Sequence, residues 1–354
     1  MRRGLWRARR NRALLRCMLR RGPVPMSAWL LGILLCGPLA AGTVPSPVPD
    51  PAAAAPASVP PATPPASDAL TEVIVQTSEP RFVAPTRRDR IGRIWAPVMI
   101  DGKGPFRLVL DTGANHSAIT ARTAQLLGAS VAGDGSTRVT GFTGSAVVPT
   151  VHVGEMEVGD VYIGPADLPV LADVFGGAQG VLGIEGLANK RIYADFSHDE
   201  LIIARSHGER ARRDFTVVPL RLVHGLLVAD VMVGSIHAKA IIDTGAQGTV
   251  GNLMLRDALM RHPPRNAAHE DIIGVTLDVQ GGDYLPLPDL VFGDHLTVKG
   301  VRVTFGDMYL FQHWGLTQEP ALTIGMDMLG SFDVMIIDYA RHELQLRSNY
   351  LAIR

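Results

Sequence analysis

The sequence LVLDTGANHS at residues 108–117 decides the fold, because a second copy of the phrase, AIIDTGAQGT, follows at residues 240–249. Each copy is a short apolar run that ends in Asp-Thr-Gly-Ala, with a hydroxyl residue three positions after the Ala. Short runs of aliphatic and β-branched residues that are closed by Gly are typical of buried strands. Each copy therefore predicts an aspartate, Asp111 or Asp243, at the end of a buried strand, where a charge is costly unless it is solvated, paired or used.

A single Asp-Thr-Gly is a weak motif, because Asp and Gly favour turns and Thr can hydrogen-bond locally. Further matches between the two halves make the repeat more specific. Three features recur in the same order, at offsets of 132, 142 and 143 residues: Asp111 as Asp243, Gly183 as Gly325, and Asp195 as Asp338. These offsets predict two copies of one all-β unit, with about ten residues inserted in the second copy.

Composition limits the classes of function that are open to the chain. Its 354 residues allow two modest domains with a substantial core. The net charge of zero hides an uneven distribution: residues 1–42 contain nine Arg, no Lys and no acid, which leaves 25 basic and 34 acidic residues, a net charge of −9, in the remainder. An acidic main body gives no electrostatic basis for binding nucleic acid.

The residue inventory also argues against several kinds of catalytic site. Cys17 and Cys36 are the only cysteines, and both precede the repeated units, so disulfides, thiolate catalysis and Cys-ligated zinc are not expected there. The eleven His form no His-Glu-x-x-His motif and no tight cluster with acids. No Gly-x-Ser-x-Gly motif of a serine hydrolase is present. We therefore predict no metal site and no cofactor.

The N-terminal region has the pattern of an export signal. Arg-rich residues 1–25 precede the apolar run AWLLGILLCGPL at residues 28–39, which has the length of a signal-peptide core and is short for a membrane span. Small residues suited to cleavage follow at residues 40–42. We predict that residues 1–42 are a signal peptide, starting at Met1 or at Met26, and that the protein is periplasmic or secreted. The alternative is an uncleaved anchor, which would tether the protein to a membrane.

Four segments follow from these patterns. Residues 43–90 are rich in Pro and Ala, cannot build a core, and are predicted to be a linker or leader. Residues 91–206 form the first predicted lobe and residues 215–347 the second, with a polar stretch between them. Each lobe is predicted to contain hairpins, further strands and a short helix; the helices are at residues 121–127 and 253–260. Residues 158–163 and 298–304 are predicted to be single strands.

Two strand-end aspartates that face each other across a pseudo-twofold axis would have a defined chemistry. Like charges a few ångströms apart cannot both ionise cheaply, so one proton would be shared. Such a pair can accept a proton from a water molecule while it donates another to a carbonyl oxygen. The pattern thus points to hydrolysis by an activated water, without a covalent intermediate.

Residues 91–347 resemble the retropepsin-like aspartic proteases (clan AA), as two tandem modules. The resemblance rests on Asp-Thr-Gly-Ala, on an apolar run that ends in Gly (the apolar-Gly signature, residues 180–183 and 322–325), and on an Asp followed by an aromatic residue in a closing strand (residues 195–196 and 338–339). The resemblance implies an all-β acid protease fold of two pseudo-symmetric retropepsin/pepsin-like β-barrel lobes with short helices, and a catalytic pair formed by Asp111 and Asp243. It implies support of the active-site loops by a second set of residues: Thr112, Gly113, Thr244, Gly245, Gly183 and Gly325. It also implies a substrate flap, which we place at Gly141, Phe142, Thr143 and Gly144. This candidate flap lacks the Tyr of the pepsin type.

The sequence thus predicts an aspartic endopeptidase that cleaves polypeptide substrates. A non-catalytic periplasmic peptide-binding or regulatory module that retains the fold is the alternative. A further arrangement stays open at this stage, in which each module pairs with a module of another chain.

Overall fold

Strands dominate the part of the chain that the computed structural model describes, which comprises residues 29–31, 35–37, 82–85, 92–129, 135–159, 161–260, 267–293 and 296–348. In the first half the elements are β1 (Trp29–Leu31), β2 (Leu35–Gly37), β3 (Phe82–Pro85), β4 (Trp95–Ile100), β5 (Lys103–Leu110), β6 (Ala118–Thr120), α1 (Ala121–Leu127), β7 (Ser136–Thr140), β8 (Ser145–Val153), β9 (Met156–Val158), β10 (Val161–Ile163), β11 (Ala166–Leu171), β12 (Gly180–Leu182), β13 (Lys190–Asp195) and β14 (Glu200–Arg205).

The second half is also built mainly of strands. Its elements are β15 (Thr216–Pro219), β16 (Arg221–Val223), β17 (Leu226–Val233), β18 (Ile236–Ile242), β19 (Val250–Gly251), α2 (Leu253–Leu259), β20 (Ala268–Gly274), β21 (Val279–Pro286), β22 (Leu290–Phe292), β23 (Leu296–Val298), β24 (Arg302–Phe305), α3 (Tyr309–His313), β25 (Ala321–Ile324), α4 (Met326–Leu329), β26 (Val334–Asp338) and β27 (Glu343–Arg347). The prediction of an all-β fold with short helices is confirmed.

The two Asp-Thr-Gly copies lie in equivalent places in two large curled sheets. In the ten-stranded sheet, β12 lies between β5, which it pairs in parallel, and β6, which it pairs antiparallel. In the eleven-stranded sheet, β25 lies between β18, which it pairs in parallel, and β19, which it pairs antiparallel. Strands β5 and β18 each deliver one aspartate, so both carboxyl groups come from the same position in a repeated arrangement.

A third sheet joins the halves beneath these loops. Its six strands run in the order β15-β27-β26-β13-β14-β3. Strand β13 of the first half pairs antiparallel with β26 of the second, with Tyr193 opposite Ile336. Backbone hydrogen bonds therefore cross from one half to the other, and the halves meet within one chain.

Local turns and helix caps explain why several strands and helices begin and end where the sequence predicts. The hairpin between β4 and β5 turns at Asp101 and Gly102, whose positive φ values of 48° and 69° suit a tight hairpin. Helix α1 begins after Thr120, whose side chain accepts a hydrogen bond from the Thr123 N–H, and it ends at Gly128 with φ of 77°. The predicted helix at residues 121–127 is thus confirmed at both ends.

Two predicted strands are wrong in extent, in each case because a glycine turns the chain. Residues 158–163 are split between β9 and β10 at Gly159, where φ is 62°. Residues 298–304 are split between β23 and β24 at Gly300, where φ is 74°. A left-handed backbone cannot continue a strand, and glycine adopts it without steric cost.

The core is built by the inward faces of both large sheets and of the joining sheet. One extended cluster of buried aliphatic residues runs through both halves, from Ile94 and Leu108 to Ile324 and Leu344. Two smaller apolar clusters lie beside the Asp-Thr-Gly loops. The described helices include none that is both long and apolar enough to cross a membrane. The predicted segments 1–42 and 43–90 lie largely outside the described residues.

Candidate active site

The two Asp-Thr-Gly loops leave their strands at matching points. The Asp111 N–H donates to the Leu182 carbonyl at 3.0 Å, and the Asp243 N–H donates to the Ile324 carbonyl at 3.0 Å. Each aspartate is therefore fixed by a strand on which the apolar-Gly signature lies. The apolar run before Asp-Thr-Gly forms the strand that ends at the aspartate. The apolar run before Gly183 or Gly325 forms the neighbouring strand that accepts the aspartate N–H.

The threonines of the two loops hold each other across the pseudo-twofold axis. The Thr112 hydroxyl donates to the Ile242 carbonyl at 2.8 Å and accepts from the Thr244 N–H at 3.1 Å. The Thr244 hydroxyl donates to the Leu110 carbonyl at 2.7 Å and accepts from the Thr112 N–H at 3.1 Å. All four hydrogen bonds are buried, so the reciprocal set fixes the two loops relative to each other.

The glycines of the two loops bring the opposite aspartates close. A Cβ atom on Gly113 would lie 2.8 Å from Cγ of Asp243, and a Cβ atom on Gly245 would overlap the carboxyl group of Asp111. Each half thus uses its glycine to admit the carboxyl group of the other half. Only a residue without a side chain permits this approach.

Both carboxyl groups are buried, and their pKa values respond to that burial. Asp111 and Asp243 are exposed by 1% and 0%. Burial raises the pKa of both, and the negative charge of Asp243 raises that of Asp111 further.

The inner oxygen of each carboxyl group is occupied by its own loop. Oδ1 of Asp111 accepts from the Gly113 N–H at 2.8 Å, and Oδ1 of Asp243 accepts from the N–H groups of Gly245 and Ala246, each at 2.9 Å. Within the described residues, Oδ2 of each aspartate has no hydrogen-bond partner. The two Oδ2 atoms are therefore the positions at which this pair can exchange protons.

A buried arginine lies beside the pair. Arg93 is 1% exposed, and its positive charge lowers the pKa of both aspartates. The β4–β5 pairing explains its place: Trp95 lies opposite Val109, and the Ile94 carbonyl accepts from the Leu110 N–H at 2.9 Å. Continuing this register places Arg93 opposite Asp111, on the same face of the sheet.

The glycines of the apolar-Gly signatures lie where second segments pass close to the active-site loops. A Cβ atom on Gly183 would lie 2.5 Å from the carbonyl carbon of His116, and one on Gly325 would lie 2.6 Å from the Gly248 carbonyl oxygen. The two N–H groups donate to the hydroxyl residues of the loops: Gly183 to Ser117 at 3.0 Å, and Gly325 to Thr249 at 3.2 Å.

An acidic residue completes each of these braces, two positions after the glycine. Glu185 accepts through Oε1 from the Ser117 N–H. Asp327 accepts from the Thr249 N–H at 3.1 Å and from the Thr249 hydroxyl at 2.7 Å. Burial raises the pKa of Glu185 to about 7. Part of the residue is exposed, but its carboxyl group is enclosed.

Two hairpins approach the loops from the opposite side. Flap 1 is the β7–β8 hairpin with its tip at residues 141–144, and flap 2 is the β20–β21 hairpin with its tip at residues 275–278. Their tips touch, since the Thr143 hydroxyl donates to the Asp278 carbonyl at 2.8 Å. The turn of flap 2 lies at residues 275–278, before Gly281 and Gly282, which lie within β21.

Each flap inserts one apolar side chain into the other half. Phe142 is fully buried in the cluster around Ile241 and Ala246, and its ring meets that of Phe311 edge-on at 5.8 Å. Val275 is buried in the cluster around Val109 and Ala114. Val109 and Ile241 each stand two residues before an active-site aspartate, so both inserted side chains lie next to the pair.

One comparison with known proteins concerns the first half of the chain. Residues 96–185 match the family model described as aspartyl protease. This part of the chain is therefore similar to aspartyl protease sequences. The match contains Asp111, the tip of flap 1 and the Gly183–Glu185 brace, and it ends before the second Asp-Thr-Gly copy.

A solved structure and the curated proteins give further comparisons. The crystal structure of aspartic proteinase from Irpex lacteus is similar over 77% of this chain and 98% of that chain, with a TM-score of 0.48 and 15% sequence identity. No curated protein matches this chain.

Sequence reasoning identified the two Asp-Thr-Gly loops but missed three charged residues that lie beside them. The pattern Gly-x-acid recurs at Glu185 and Asp327, and an alignment of the two halves would have found it. Arg93 has no counterpart of this kind, because residue 225, at the same distance before Asp243, is a glycine. Its role could be read only from the β4–β5 register.

Proposed function

We propose that this protein is an aspartic endopeptidase that hydrolyses peptide bonds with a water molecule activated by Asp111 and Asp243. The observation that carries the proposal is the mutual approach of the two loops, in which Gly113 faces the Asp243 carboxyl group and Gly245 faces that of Asp111. Two buried carboxyl groups that share a proton are the minimum set for this chemistry.

The positions of the hydrogen bonds suggest separate roles for the two aspartates. We assign the role of base to Asp243, because its Oδ1 accepts two N–H groups, from Gly245 and Ala246, whereas that of Asp111 accepts one, from Gly113. Asp111 holds the shared proton. In the proposed reaction, Asp243 accepts a proton from water as its oxygen attacks the carbonyl carbon, and Asp111 donates a proton to the carbonyl oxygen.

The second step returns both groups to their starting state. The tetrahedral diol collapses and the C–N bond breaks. The leaving nitrogen takes up the proton that Asp243 accepted, and a hydroxyl proton of the diol passes back to Asp111. One water molecule is consumed, and a carboxyl and an amino terminus are released. The positive charge of the buried Arg93 favours the ionised form of both aspartates.

The flaps define the kind of substrate that we propose. The proposed substrate is an extended polypeptide that adds a strand beside β7 or β20, at the sheet edges where the short strands β2 and β1 lie in this structure. The clusters that hold Phe142 and Val275 are apolar, so side chains on either side of the scissile bond are proposed to be apolar as well.

The test is cleavage of a mixed peptide library by the full chain and by Asp111→Asn and Asp243→Asn variants, at mildly acidic to neutral pH. Each variant should lose cleavage while keeping its circular dichroism spectrum, and the exposed Asp173→Asn variant should behave as the wild type. Full activity in either Asn variant would contradict the proposal. Binding of peptides by the wild type without cleavage would instead favour a peptide-binding module.

A further inference from the structure

The two apolar clusters beside the Asp-Thr-Gly loops differ in one polar side chain. In the first half, Val181 of β12 lies opposite Val109 and Ala118, and all three belong to the same apolar cluster. The corresponding residue of β25 in the second half is Thr323, since each stands two residues before the glycine of the apolar-Gly signature. Threonine has the shape of valine with a hydroxyl group in place of one methyl group. The second half therefore carries a polar atom where the first half carries none.

Strand pairing shows which way Thr323 faces. It lies opposite Ile241 of β18 and Val250 of β19, and both of these belong to the cluster that surrounds Phe142. Directly opposed residues project from the same face of a sheet, and so do residues two apart on one strand. Ala321, two residues before Thr323, is in this cluster as well. We call the cluster around Phe142, Ile241 and Ala321 the second-half pocket, and Thr323 faces into it.

The second-half pocket adjoins the proposed reacting groups. Ile241 stands two residues before Asp243, and Thr323 lies on the neighbouring strand, about 4.8 Å away. The ring of Phe142 indicates the size of side chain that the pocket encloses, since it is fully buried there and meets the ring of Phe311 edge-on at 5.8 Å. In the proposed reaction, a substrate side chain next to the scissile bond takes the place of this ring when flap 1 lifts.

Two hydrogen-bonding groups of this pocket have no partner among the described residues. Thr323 is 0% exposed, and its Oγ1 neither donates nor accepts a hydrogen bond there. Trp314 belongs to the same cluster, is 8% exposed, and has a buried Nε1–H without an acceptor in the described part of the chain. A buried polar group without a hydrogen bond is costly, and a ligand that supplies the bond removes the cost. The pocket therefore combines apolar walls with groups that favour a polar atom in its occupant.

We propose that Thr323 is a specificity-determining residue, and that the second-half pocket selects a tyrosine side chain next to the scissile bond. A phenol ring matches the aromatic ring that the pocket encloses in this structure. Its hydroxyl group can donate to or accept from the Thr323 hydroxyl, and it can accept from the Trp314 N–H. Val181 offers no such bond, so the first-half cluster takes tyrosine no better than phenylalanine. The inference rests on the proposed function only in that the groove between the flaps is the substrate site.

Four synthetic peptides test the selection. They share alanine flanks and differ only in the central pair, which is Tyr-Val, Phe-Val, Val-Tyr or Val-Phe. In one of the two orders, the wild-type chain should cleave the tyrosine peptide with a kcat/KM about tenfold above that of its phenylalanine counterpart, because one added hydrogen bond contributes about this factor. In the other order the two peptides should be cleaved equally well, since the tyrosine then enters the first-half cluster. Equal cleavage of tyrosine and phenylalanine peptides in both orders would overturn the inference.

Thr323→Val introduces the residue that the first half already carries at this position, so the variant should fold as the wild type does. It should cleave the preferred tyrosine peptide about tenfold more slowly and the phenylalanine peptide as before, which removes the preference. Thr297→Val makes the same change on β23, outside the pocket, and should keep the wild-type preference. An unchanged preference in Thr323→Val, or an equal loss in both variants, would contradict the assigned role of Thr323.

Peptide binding by an inactive chain separates this inference from the proposed function. The Asp243→Asn chain should bind one fluorescently labelled tyrosine peptide about tenfold more tightly than its phenylalanine counterpart, and adding Thr323→Val should make the two affinities equal. If this pattern is found although the wild type cleaves no peptide, the pocket assignment stands and the proposed protease function fails. If the wild type cleaves the peptides without distinguishing tyrosine from phenylalanine, the protease function stands and the inference fails. Absence of both binding and cleavage would overturn the inference as well.

Discussion

Gly113 of the first half lies against the Asp243 carboxyl group of the second, at a distance that leaves no room for a side chain: a Cβ atom would be 2.8 Å from Cγ. Gly245 has the reciprocal relation to Asp111. The geometry of the pair is thus set by two glycines as much as by the aspartates. Any atom added between the loops must displace a carboxyl group that is already hydrogen-bonded.

Gly113→Ala should therefore reduce peptide cleavage strongly while leaving the protein folded. The new methyl group pushes the Asp243 carboxyl group away from Asp111, and displacement of a catalytic group by about 1 Å costs about 100-fold in rate. Steady-state cleavage of a peptide from the library measures this. Gly164→Ala is the control, because a Cβ atom there meets nothing within 4 Å. Equal activities in the two variants would contradict the close approach of the loops.

The charge of Arg93 predicts a change in pH dependence. Because the positive charge lowers the pKa of both aspartates, Arg93→Met should raise both values. Asp243 would then ionise only at higher pH, so the acidic limb of kcat/KM against pH should move to higher pH. Arg93→Lys retains the charge and should restore most of the profile. An unshifted limb in the Met variant, with lower activity throughout, would indicate a packing role alone.

Glu185 predicts a pH-dependent stability. Its pKa is about 7 in the folded protein against a usual value of 4.5, because burial disfavours the charged form. A raised carboxyl pKa contributes stability that is complete below about pH 4.5 and is lost as pH rises through about 7. Wild-type protein should therefore lose up to about 3 kcal/mol over this range through Glu185.

Glu185→Gln keeps an oxygen that accepts from the Ser117 N–H but removes the titration. The variant should thus lose less stability than the wild type between mildly acidic and mildly alkaline pH. Urea unfolding at both pH values measures the difference, with the exposed Glu157→Gln variant as a control that follows the wild type. Identical pH dependence in Glu185→Gln and the wild type would rule out this role for the carboxyl group.

Local patterns were sufficient for most of the strands, because these depend on neighbours in sequence. The hairpin of β17 and β18 and the helix α1 follow from apolar alternation, turn glycines and a capping Thr. The repeat also indicated where the two aspartates stand in their strands. Short α3 and α4 were not predicted, since helices of one turn depend on contacts made after folding, such as the Leu310 N–H donating to the Phe142 carbonyl.

Long-range contacts were beyond the sequence for a physical reason. The pairing of β13 with β26 joins residues more than 130 positions apart, and no local propensity encodes which edge a strand will find. The same holds for Phe142, which the family resemblance placed in a flap. That its ring would be buried against Phe311 of the other half requires knowledge of how the halves meet.

The braces under the two loops are alike in position and different in chemistry: a glutamate serves a serine in one half, and an aspartate serves a threonine in the other. An assembly of two identical chains could not maintain such a difference, because every substitution would appear twice. Within a single chain the two loops are free to differ, so the acid and base roles proposed for Asp111 and Asp243 need not be interchangeable.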